Sequence, residues 1–494
     1  MPDLSSLPEA FVSTPELAKM ISRQVKIGAL RKLSSRLYTK NLSDPAEAIA
    51  KRNLWPIVAG FLPGALIADR TALENRPASD GSIFLVSDHT RDIALPGIVL
   101  RPRKGPPPLP SDRAFIGSLR LASTPRAFLE NLVPSRARTG VARTLPRTDI
   151  EKRLDDELRA RGEPALQRLR DDARAIAKDL DLEKELRELD AMIGALLGTR
   201  TAKLSEATAV ARAAGAPYDP HRLELLQRLH SHLSNRSSPV RPATAAGAPL
   251  PFFEAYFSNF IEGTEFEVSE AENIVFHGHI PEHRPEDAHD IIGTWRIVSD
   301  AGEMEKLPGS SRELVALLKA RHASIMQGRP NKRPGVFKTQ QNQVGTTVFV
   351  EPKLVLGTLE RGFELYRSID APLHRAMFMT FLVAEVHPFA DGNGRTARIM
   401  MNAELVAAKE SRIIIPTVYR NNYLMSLRLL SQNGEPDALV RTLDFAQRYT
   451  VSIDFTSLER ARSMLEKTNA FIPANEADER GIRLQLPTPE LLAR

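Results

Sequence analysis

The sequence is most informative at first through what it lacks. It contains no cysteine in 494 residues, which excludes a disulfide framework and thiolate-bound metal sites. It has no run of 18 apolar residues, so no membrane-spanning helix is predicted. It does not open with a basic segment followed by an apolar one, so no secretory signal is expected. These absences predict a cytoplasmic protein with no membrane partner.

The remaining composition is that of an ordinary globular chain, with 42% hydrophobic and 26% charged residues. The charge is unevenly distributed. Residues 1–150 hold 22 Lys and Arg against 13 Asp and Glu, a balance of +9, whereas the whole chain is +6 and the remainder is therefore −3. A basic N-terminal third is typical either of a nucleic-acid-binding surface or of a plain solvated surface.

The N-terminal part shows signals for a small α+β domain. In residues 13–40, Pro15 suits the first turn of a helix, and 28–40 is predicted to form a second short helix running into a strand. Short strands are predicted at 83–87 and 97–102. Helix, helix and strand with clustered lysine and arginine resemble a winged helix, so residues 1–140 are predicted to be a basic winged-helix-like accessory domain.

Later segments differ in composition. Residues 141–234 alternate charges at helical spacing, which predicts a connector of exposed helices with i,i+4 ion pairs. Residues 235–251 are rich in Pro, Ala, Ser and Thr and are predicted to be a linker. Residues 252–450 are predicted to be a mainly helical domain, and 451–494 a C-terminal extension.

One segment, HPFADGNGRTARIMM (387–401), concentrates chemically active residues. The apolar residues 371–386 before it predict a buried helix that ends before Pro388, and Phe389 is expected to enter the core. The tripeptide Gly392-Asn393-Gly394 permits positive φ and leads into a second helix. Because a helix N-terminus offers free N–H groups and a positive dipole end, phosphate is the expected ligand there.

The charged residues around that turn fit the same ligand. Arg395 and Arg398 share one helix face, and two guanidinium groups suit a polyphosphate. Asp391 would repel phosphate unless a cation bridged the two, and Mg²⁺ is the expected cation. His387 belongs to the residue type that takes a proton near pH 7. Each residue alone is commonly a loop or surface residue, but together they predict phosphoryl or nucleotidyl transfer.

The stretch HPFADGNGRTAR resembles the signature of the Fic family at every fixed position, and the resemblance extends over about residues 250–450. It implies a helical Fic-type bundle that transfers AMP from ATP, as co-substrate with Mg²⁺, to a Ser, Thr or Tyr hydroxyl of a target protein. It also implies that His387 is the general base and Asp391 the Mg²⁺ ligand. The nucleotide-binding residues it implies are Gly392, Asn393, Gly394, Arg395, Thr396, Arg398 and Tyr423.

Two further features resemble the same family. Residues 335–352 match a β-hairpin flap that aligns the target, with Lys338, Val344 and Gly345 as candidate flap residues; a plain surface hairpin is the alternative. The stretch SNFIEG (258–263) resembles an inhibitory-helix motif made of Ser258, Glu262 and Gly263.

The inhibitory motif also has a physical basis. Glu262 would lie at a helix C-terminus, where the dipole disfavours a carboxylate, so it needs a cation. The resemblance implies Arg398 as that cation, with Ser258 hydrogen-bonding Glu262. Such a pair would occupy the arginine that the γ-phosphate needs, so an autoinhibited enzyme is expected.

Residues 1–140 have a second, diffuse resemblance to AbiEi-type antitoxin regulators of toxin–antitoxin systems, which implies possible DNA binding through residues 1–150. The favoured function is therefore an autoinhibited protein adenylyltransferase. The alternatives are removal of AMP, transfer of UMP or phosphate, or a DNA-binding regulator with a nucleotide-sensing Fic module. A homodimer is a further possible assembly.

Overall fold

A computed structural model provides the coordinates. It describes residues 7–137, 140–200, 202–243, 247–345 and 347–493. The chain forms two compact units, Met1–Ala214 and Gly215–Arg494, so the division falls inside the predicted connector 141–234. The fold is mainly helical, with small sheets in the N-terminal region, which confirms the predicted fold class.

The first unit contains two sheets. A three-stranded antiparallel sheet has the order β1-β3-β2, and a six-stranded mixed sheet has the order β6-β7-β5-β4-β9-β8. In the mixed sheet, β4 pairs with β9 and β5 with β7 in parallel, and the other neighbours are antiparallel. The strands are β1 Ala10–Val12, β2 Arg31–Ser34, β3 Leu37–Thr39, β4 Leu66–Ile67, β5 Ser82–Val86, β6 Ile93–Leu95, β7 Ile98–Arg103, β8 Arg113–Ala114 and β9 Arg120–Leu121.

Helices cover these sheets and extend the first unit. They are α1 Ala18–Lys26, α2 Ala46–Arg52, α3 Leu54–Phe61, α4 Asp69–Glu74, α5 Thr124–Leu132, α6 Arg147–Arg161, α7 Glu163–Ala177, α8 Glu183–Leu196 and α9 Ala207–Ala213. The strands predicted at 83–87 and 97–102 correspond to β5 and β7 and are confirmed.

The prediction of a second helix within 28–40 is wrong, because β2 and β3 form a hairpin there. The turn places Arg36 at a φ of +63°. In β3, Leu37 and Thr39 are buried and Tyr38 is half-buried, which is the period-two alternation of a strand. The observed order is therefore strand, helix, strand and strand rather than helix, helix and strand.

The helices predicted to be exposed are only partly so. Ion pairs at i,i+4 do occur, such as Arg147–Glu151 at 2.9 Å. However, Ile150, Leu154 and Leu166 are fully buried in a cluster shared with α5 and α8. The segment was predicted to be exposed because of its many charged residues, although its apolar residues recur at ordinary helical spacing.

The second unit is a helical bundle with one short hairpin. Its elements are α10 Pro220–Ser234, α11 Pro249–Ile261, α12 Val268–His277, α13 Pro285–Ser299, α14 Ala301–Met304, α15 Ser311–Ile325, β10 Gln343–Val344, β11 Thr347–Val348, α16 Val355–Tyr366, α17 Pro372–Val386, α18 Asn393–Ala407, α19 Arg420–Asn433, α20 Asp437–Ser452, α21 Leu458–Lys467, α22 Ala474–Arg480 and α23 Pro489–Ala493. Helices α17 and α18 pack closely at its centre.

The boundaries predicted around this bundle need correction. Helix α10, predicted to belong to the connector, packs on α16 and α17. In the predicted linker 235–251, Arg241 donates to Gln447 and Asp444 at 2.7 Å, and α11 already begins at Pro249; residues 244–246 lie outside the described residues. Phe455, from the predicted extension, is buried in the same core as α11, while Arg494 lies outside the described residues.

In the described part of the chain, no helix combines the length and the apolar character that crossing a bilayer requires. The absence of a membrane-spanning helix was expected from the sequence.

A buried ion network stabilises the first unit. The Arg126 guanidinium is completely buried and lies 2.8 Å from the Asp112 carboxylate and 3.1 Å from that of Glu130. It also donates to the carbonyl oxygens of Pro106 and Pro107. One side chain therefore neutralises two buried carboxylates and fixes the proline-rich loop.

We expect Arg126→Leu to lower the free energy of unfolding of the first unit by about 3–5 kcal/mol, because the buried Asp112 carboxylate loses its arginine partner, whereas Glu130 keeps Arg103 at 3.3 Å. Urea unfolding can be followed through Trp55 fluorescence in a Trp295→Phe background, which leaves Trp55 as the only tryptophan. Arg113→Leu, at an exposed arginine of β8, is the control and should change stability by less than about 0.5 kcal/mol. Equal effects of the two changes would contradict this assignment.

Candidate active site

The predicted site forms where α17 ends and α18 begins. Val386 is the last residue of α17, and His387 follows with φ 51° and ψ 58°, which turns the chain out of the helix. The Asn393 side chain then closes the loop, because it accepts from the Phe389 N–H and donates to the Phe389 carbonyl, both at 2.8 Å. Phe389 is fully buried, as predicted.

Two glycines allow close approach around this loop. Gly392 has φ +71°, and a Cβ there would lie 2.7 Å from the Met326 sulfur. Gly394 has no side chain to obstruct the Glu262 carboxylate; a Cβ would collide with Glu262 Oε1 and lie 3.1 Å from Arg398 Nη1. Both positions therefore need glycine for close packing, and Gly392 needs it for its positive φ as well.

His387 is held as a neutral imidazole. Its ring stacks on Phe349, with centroids 3.7 Å apart and planes 7° apart. Its Nδ1 lies 3.2 Å from the Ala384 carbonyl, so Nδ1 carries the proton and Nε2 keeps its lone pair. Burial lowers the pKa of His387 to about 4. The ring is therefore neutral at pH 7, because burial shifts its pKa below the value near neutrality that an exposed histidine has.

Asp391 lies on the solvent side of the loop. One of its oxygens accepts from the Gly392 N–H at 2.7 Å, and the other is 3.9 Å from Lys332 Nζ. Its side chain is 40% exposed. The described residues contain no cluster of three or more His, Asp or Glu that could hold a metal by themselves. A single accessible carboxylate fits Mg²⁺, which in proteins usually keeps waters and phosphate oxygens as its other ligands.

Arg398 is bound by the C-terminal turn of α11. Its Nη2 lies 2.7 Å from Glu262 Oε1, and it donates to the Ser258 hydroxyl at 3.0 Å and to the Ser258 carbonyl at 2.8 Å. Ser258 therefore contacts the arginine, whereas the sequence predicted that it would contact Glu262. Gly263 follows with φ +91° and ends the helix.

The charge of Glu262 is stabilised from two sides. Burial acts to raise the pKa of Glu262, but Arg398 outweighs it and holds the pKa below its usual value. The carboxylate also sits against the first turn of α18, which is a positive helix end. Glu262 thus occupies the place at which a phosphate oxygen would be stabilised.

The side chains of Arg395 and Thr396 do not point toward the position of the Glu262 carboxylate. Arg395 pairs with the buried Asp290 at 2.6 Å and lies 3.3 Å from the Asn259 side-chain oxygen. The Thr396 hydroxyl donates to the Gly392 carbonyl. In this structure Arg395 is paired with Asp290, which Arg329 also contacts at 2.9 Å, so the predicted contact of Arg395 with the phosphate chain would require it to leave this pair.

The predicted hairpin is present as β10 and β11, joined through Gly345 at φ +59°. Val344 is exposed on it. Lys338, before the hairpin, donates from its backbone to the Pro388 carbonyl at 2.9 Å and from Nζ to Asn342 Oδ1 at 2.7 Å. Asn342 in turn donates to the Phe389 carbonyl at 2.9 Å. The base of the flap is thus fixed to the loop that follows His387.

A cavity of about 240 Å³ is lined by His387, Glu262, Arg398 and the hairpin residues Val344 and Thr347. It begins at the start of α18 and runs between the hairpin and α19. Tyr423 borders it, with the Arg398 guanidinium 6.0 Å from the centre of its ring. The lining residues are Glu262, Val344, Thr347, Phe349, Ala384, Glu385, His387, Gly394, Arg398, Arg420, Tyr423, Leu424, Leu427, Arg428 and Ser431.

One supporting residue was not predicted from the sequence. His322, on α15, stacks on Phe389 with centroids 3.7 Å apart. Its Nδ1 accepts from the Gly335 N–H at 2.9 Å, which leaves Nε2 to donate to the Asp391 carbonyl at 3.0 Å. Burial lowers the pKa of His322 to about 4. A single histidine within an ordinary helix carries no sequence signal for such a role.

This part of the chain is similar in sequence to known proteins. Residues 314–405 match the Fic/DOC family model, so they form a Fic domain. The protein adenylyltransferase Fic of Drosophila yakuba is 26% identical over 249 residues, covering 47% of this chain and 48% of that protein. The protein of the same name from Drosophila melanogaster is 25% identical over 279 residues, covering 54% of this chain and 55% of its own. The chain spans about half the length of these curated relatives.

Solved structures of Fic proteins are also similar. Fic-1 of Caenorhabditis elegans (residues 134–508) is 19% identical, and the match covers 61% of this chain and 95% of that one with a TM-score of 0.36. A Fic-domain-containing signalling protein of Bacteroides thetaiotaomicron is 18% identical, and the match covers 49% and 97% with a TM-score of 0.36.

The protonation state of His387 can be tested by NMR. We expect its Cε1 proton to titrate with a midpoint near the pKa of about 4 set by burial, rather than near the value of about 6.5 of an exposed histidine. The resonance is assigned by its disappearance in His387→Gln. A midpoint of 6 or above would show that the ring is hydrated and not enclosed by Phe349.

Proposed function

We propose that this protein transfers AMP from ATP to a hydroxyl group of a target protein, with His387 as the general base. The observation that carries this proposal is the neutral imidazole whose Nδ1 is bound to the Ala384 carbonyl. Nε2 is then left as a proton acceptor on a residue that lines the cavity. The adenylyltransferases among the relatives support the reaction class.

The phosphate chain is proposed to bind at the first turn of α18. Gly394 lets a ligand approach the free N–H groups there, and the Arg398 guanidinium lines the cavity beside that turn. Asp391, an accessible carboxylate just before this turn, is proposed to hold Mg²⁺ beside the phosphates. When bound, the ion would supply positive charge for the leaving pyrophosphate.

In the reaction, the target hydroxyl gives its proton to His387 Nε2 as its oxygen forms a bond to the α-phosphorus. The bond between the α-phosphorus and the bridging oxygen breaks, and pyrophosphate leaves. The Ala384 carbonyl keeps the ring oriented and stabilises the imidazolium through Nδ1–H. Positioning and fixed charge then account for most of the rate.

The target is proposed to align on the hairpin formed by β10 and β11. In the described residues the two strands pair with each other along one edge, and an outer edge of such a hairpin is where an extended peptide can add as a further strand. Its base is anchored beside His387 by Lys338 and Asn342. A hydroxyl on that peptide would then face Nε2.

The activity of this site is proposed to be inhibited by Glu262 of the same chain. Glu262 satisfies both Arg398 and the positive end of α18, and a phosphate would need those two groups. ATP must therefore displace the carboxylate or bind in a pose that is poor for attack. Ser258 adds two contacts that keep Arg398 turned toward α11.

We expect Glu262→Gly to increase self-modification with labelled ATP and Mg²⁺ by about tenfold or more, since one charge-assisted pair no longer competes with the phosphate. Incorporation of label is measured on the full chain. Glu265→Gly, an exposed glutamate in the loop after α11, is the matched control and should leave incorporation unchanged.

The role of His387 as the general base is tested in a protein that already carries Glu262→Gly. Glu262→Gly combined with His387→Ala should reduce incorporation by about a hundredfold or more, in line with the loss of a general base. Nucleotide binding should remain, because His387 does not hold the phosphates. Persisting incorporation in the double variant would refute the assignment of His387.

A further inference from the structure

The cavity has a second end that the proposed chemistry does not use. Tyr423 lies beside Arg398 and marks the phosphate end. Along α19, Ser431 lies eight residues beyond Tyr423, which corresponds to about 12 Å at 1.5 Å per residue. A nucleoside triphosphate that is anchored at the start of α18 and extends along this wall would bring its base to the region of Leu427 and Ser431.

The walls there suit a flat ring. Leu424 and Leu427 line one side of the cavity, and Phe349 and Val344 of the flap segment also line it. Such apolar surfaces stabilise an aromatic base but do not distinguish one base from another. Discrimination needs polar groups at the edge of the ring.

Glu385 and Ser431 provide that polar edge. The Glu385 side chain is 4% exposed, and it lines the cavity. Its Oε1 accepts from Ser431 Oγ at 3.1 Å and lies 2.8 Å from Arg222 Nη1. Among the described residues both contacts fall on Oε1, so Oε2 is the carboxylate oxygen available to a ligand.

Arg222 fixes this carboxylate in place. It lies on α10, outside the residues that match the family model, and it donates to the Val348 carbonyl of the flap as well as pairing with Glu385. The carboxylate is therefore tied to both α10 and the hairpin, which restricts its rotation. A fixed acceptor discriminates better than a mobile one, because a ligand cannot reorient it.

We infer that Glu385, oriented by Arg222 and Ser431, selects a nucleobase that carries an exocyclic amino group. The edge offers acceptors, namely Glu385 Oε2 and the lone pairs of Ser431 Oγ, since the Ser431 proton is used on Oε1. Burial raises the pKa of Glu385, and Arg222 acts against burial by favouring the carboxylate. An amino group donates to this carboxylate, whereas a keto oxygen at the same position would face it with no proton between them. This inference rests on the proposed nucleotide site.

The test compares nucleotides that differ in one group. Inosine triphosphate carries a keto oxygen where ATP has its amino group, and GTP adds an amino group beside the same keto oxygen. Dissociation constants are measured by calorimetry with Mg²⁺ on the full chain carrying Glu262→Gly and His387→Ala. We expect ATP, GTP or both to bind about tenfold or more tightly than inosine triphosphate. Inosine triphosphate binding as tightly as both would overturn the inference.

Variants assign the selection to Glu385. In Glu385→Gln, the new amide can donate to a keto oxygen. The dissociation constants of inosine triphosphate and the amino-bearing nucleotides should then differ by about threefold or less. The control is Glu404→Gln, at another buried carboxylate that pairs with an arginine, Arg375 at 3.0 Å, but does not line the cavity. It should leave the difference unchanged. An unchanged difference in Glu385→Gln would count against the assignment.

A second variant covers a failure of Glu385→Gln to fold. Ser431→Ala removes the hydroxyl beside Glu385 without leaving a buried charge unpaired, because Arg222 still pairs with Glu385. It should also reduce the difference in dissociation constant between inosine triphosphate and the amino-bearing nucleotides. Failure of this inference is distinct from failure of the proposed function. If inosine triphosphate binds as tightly as both ATP and GTP, only the base selection is wrong; if no nucleotide binds, the proposed function itself fails.

Discussion

The first turn of α18 is the constraint around which the second unit is organised. Its unsatisfied N–H groups and the guanidinium of Arg398 form a positive end inside the fold, and such an end requires an anion. The loop that creates it is held by Asn393, by the buried ring of Phe389 and by His322 behind that ring. Any distortion of this loop would move the helix start and the imidazole of His387 together.

The polar groups around that start have separate charge states because their surroundings differ. Burial lowers the pKa of His387 to about 4, whereas Arg398 holds the pKa of Glu262 below its usual value against the effect of burial. At neutral pH the cavity therefore contains an uncharged proton acceptor next to an ion pair. The neutral imidazole has a lone pair free for a hydroxyl proton, and the ion pair beside it marks where a charged ligand would exchange.

The sequence predicted the elements whose signals are local. The turn through Gly392 and Gly394, the helices on both sides of it and the helix ending at Glu262 could all be identified from glycine, proline and apolar spacing. The contact partners could not, because they come from distant segments: Asp290 takes Arg395, and Ser258 binds Arg398 rather than Glu262. Residues 28–40 were predicted to be a short helix running into a strand; the strand is present as β3, but the residues before it form β2 rather than a helix.

The position of Glu262 explains why the inhibitory contact can be exchanged. At the end of α11 the helix dipole opposes a carboxylate, so Glu262 is stable there only while α18 and Arg398 supply positive charge. Arg398 is equally dependent, since a buried guanidinium without an anion is costly. A phosphate that displaced Glu262 would restore the charge balance of Arg398, and the released carboxylate, already 30% exposed, could be hydrated at once. The exchange therefore replaces one anion by another without leaving a buried charge unpaired, and the balance between the two states depends on the relative affinities of carboxylate and phosphate for a single helix end.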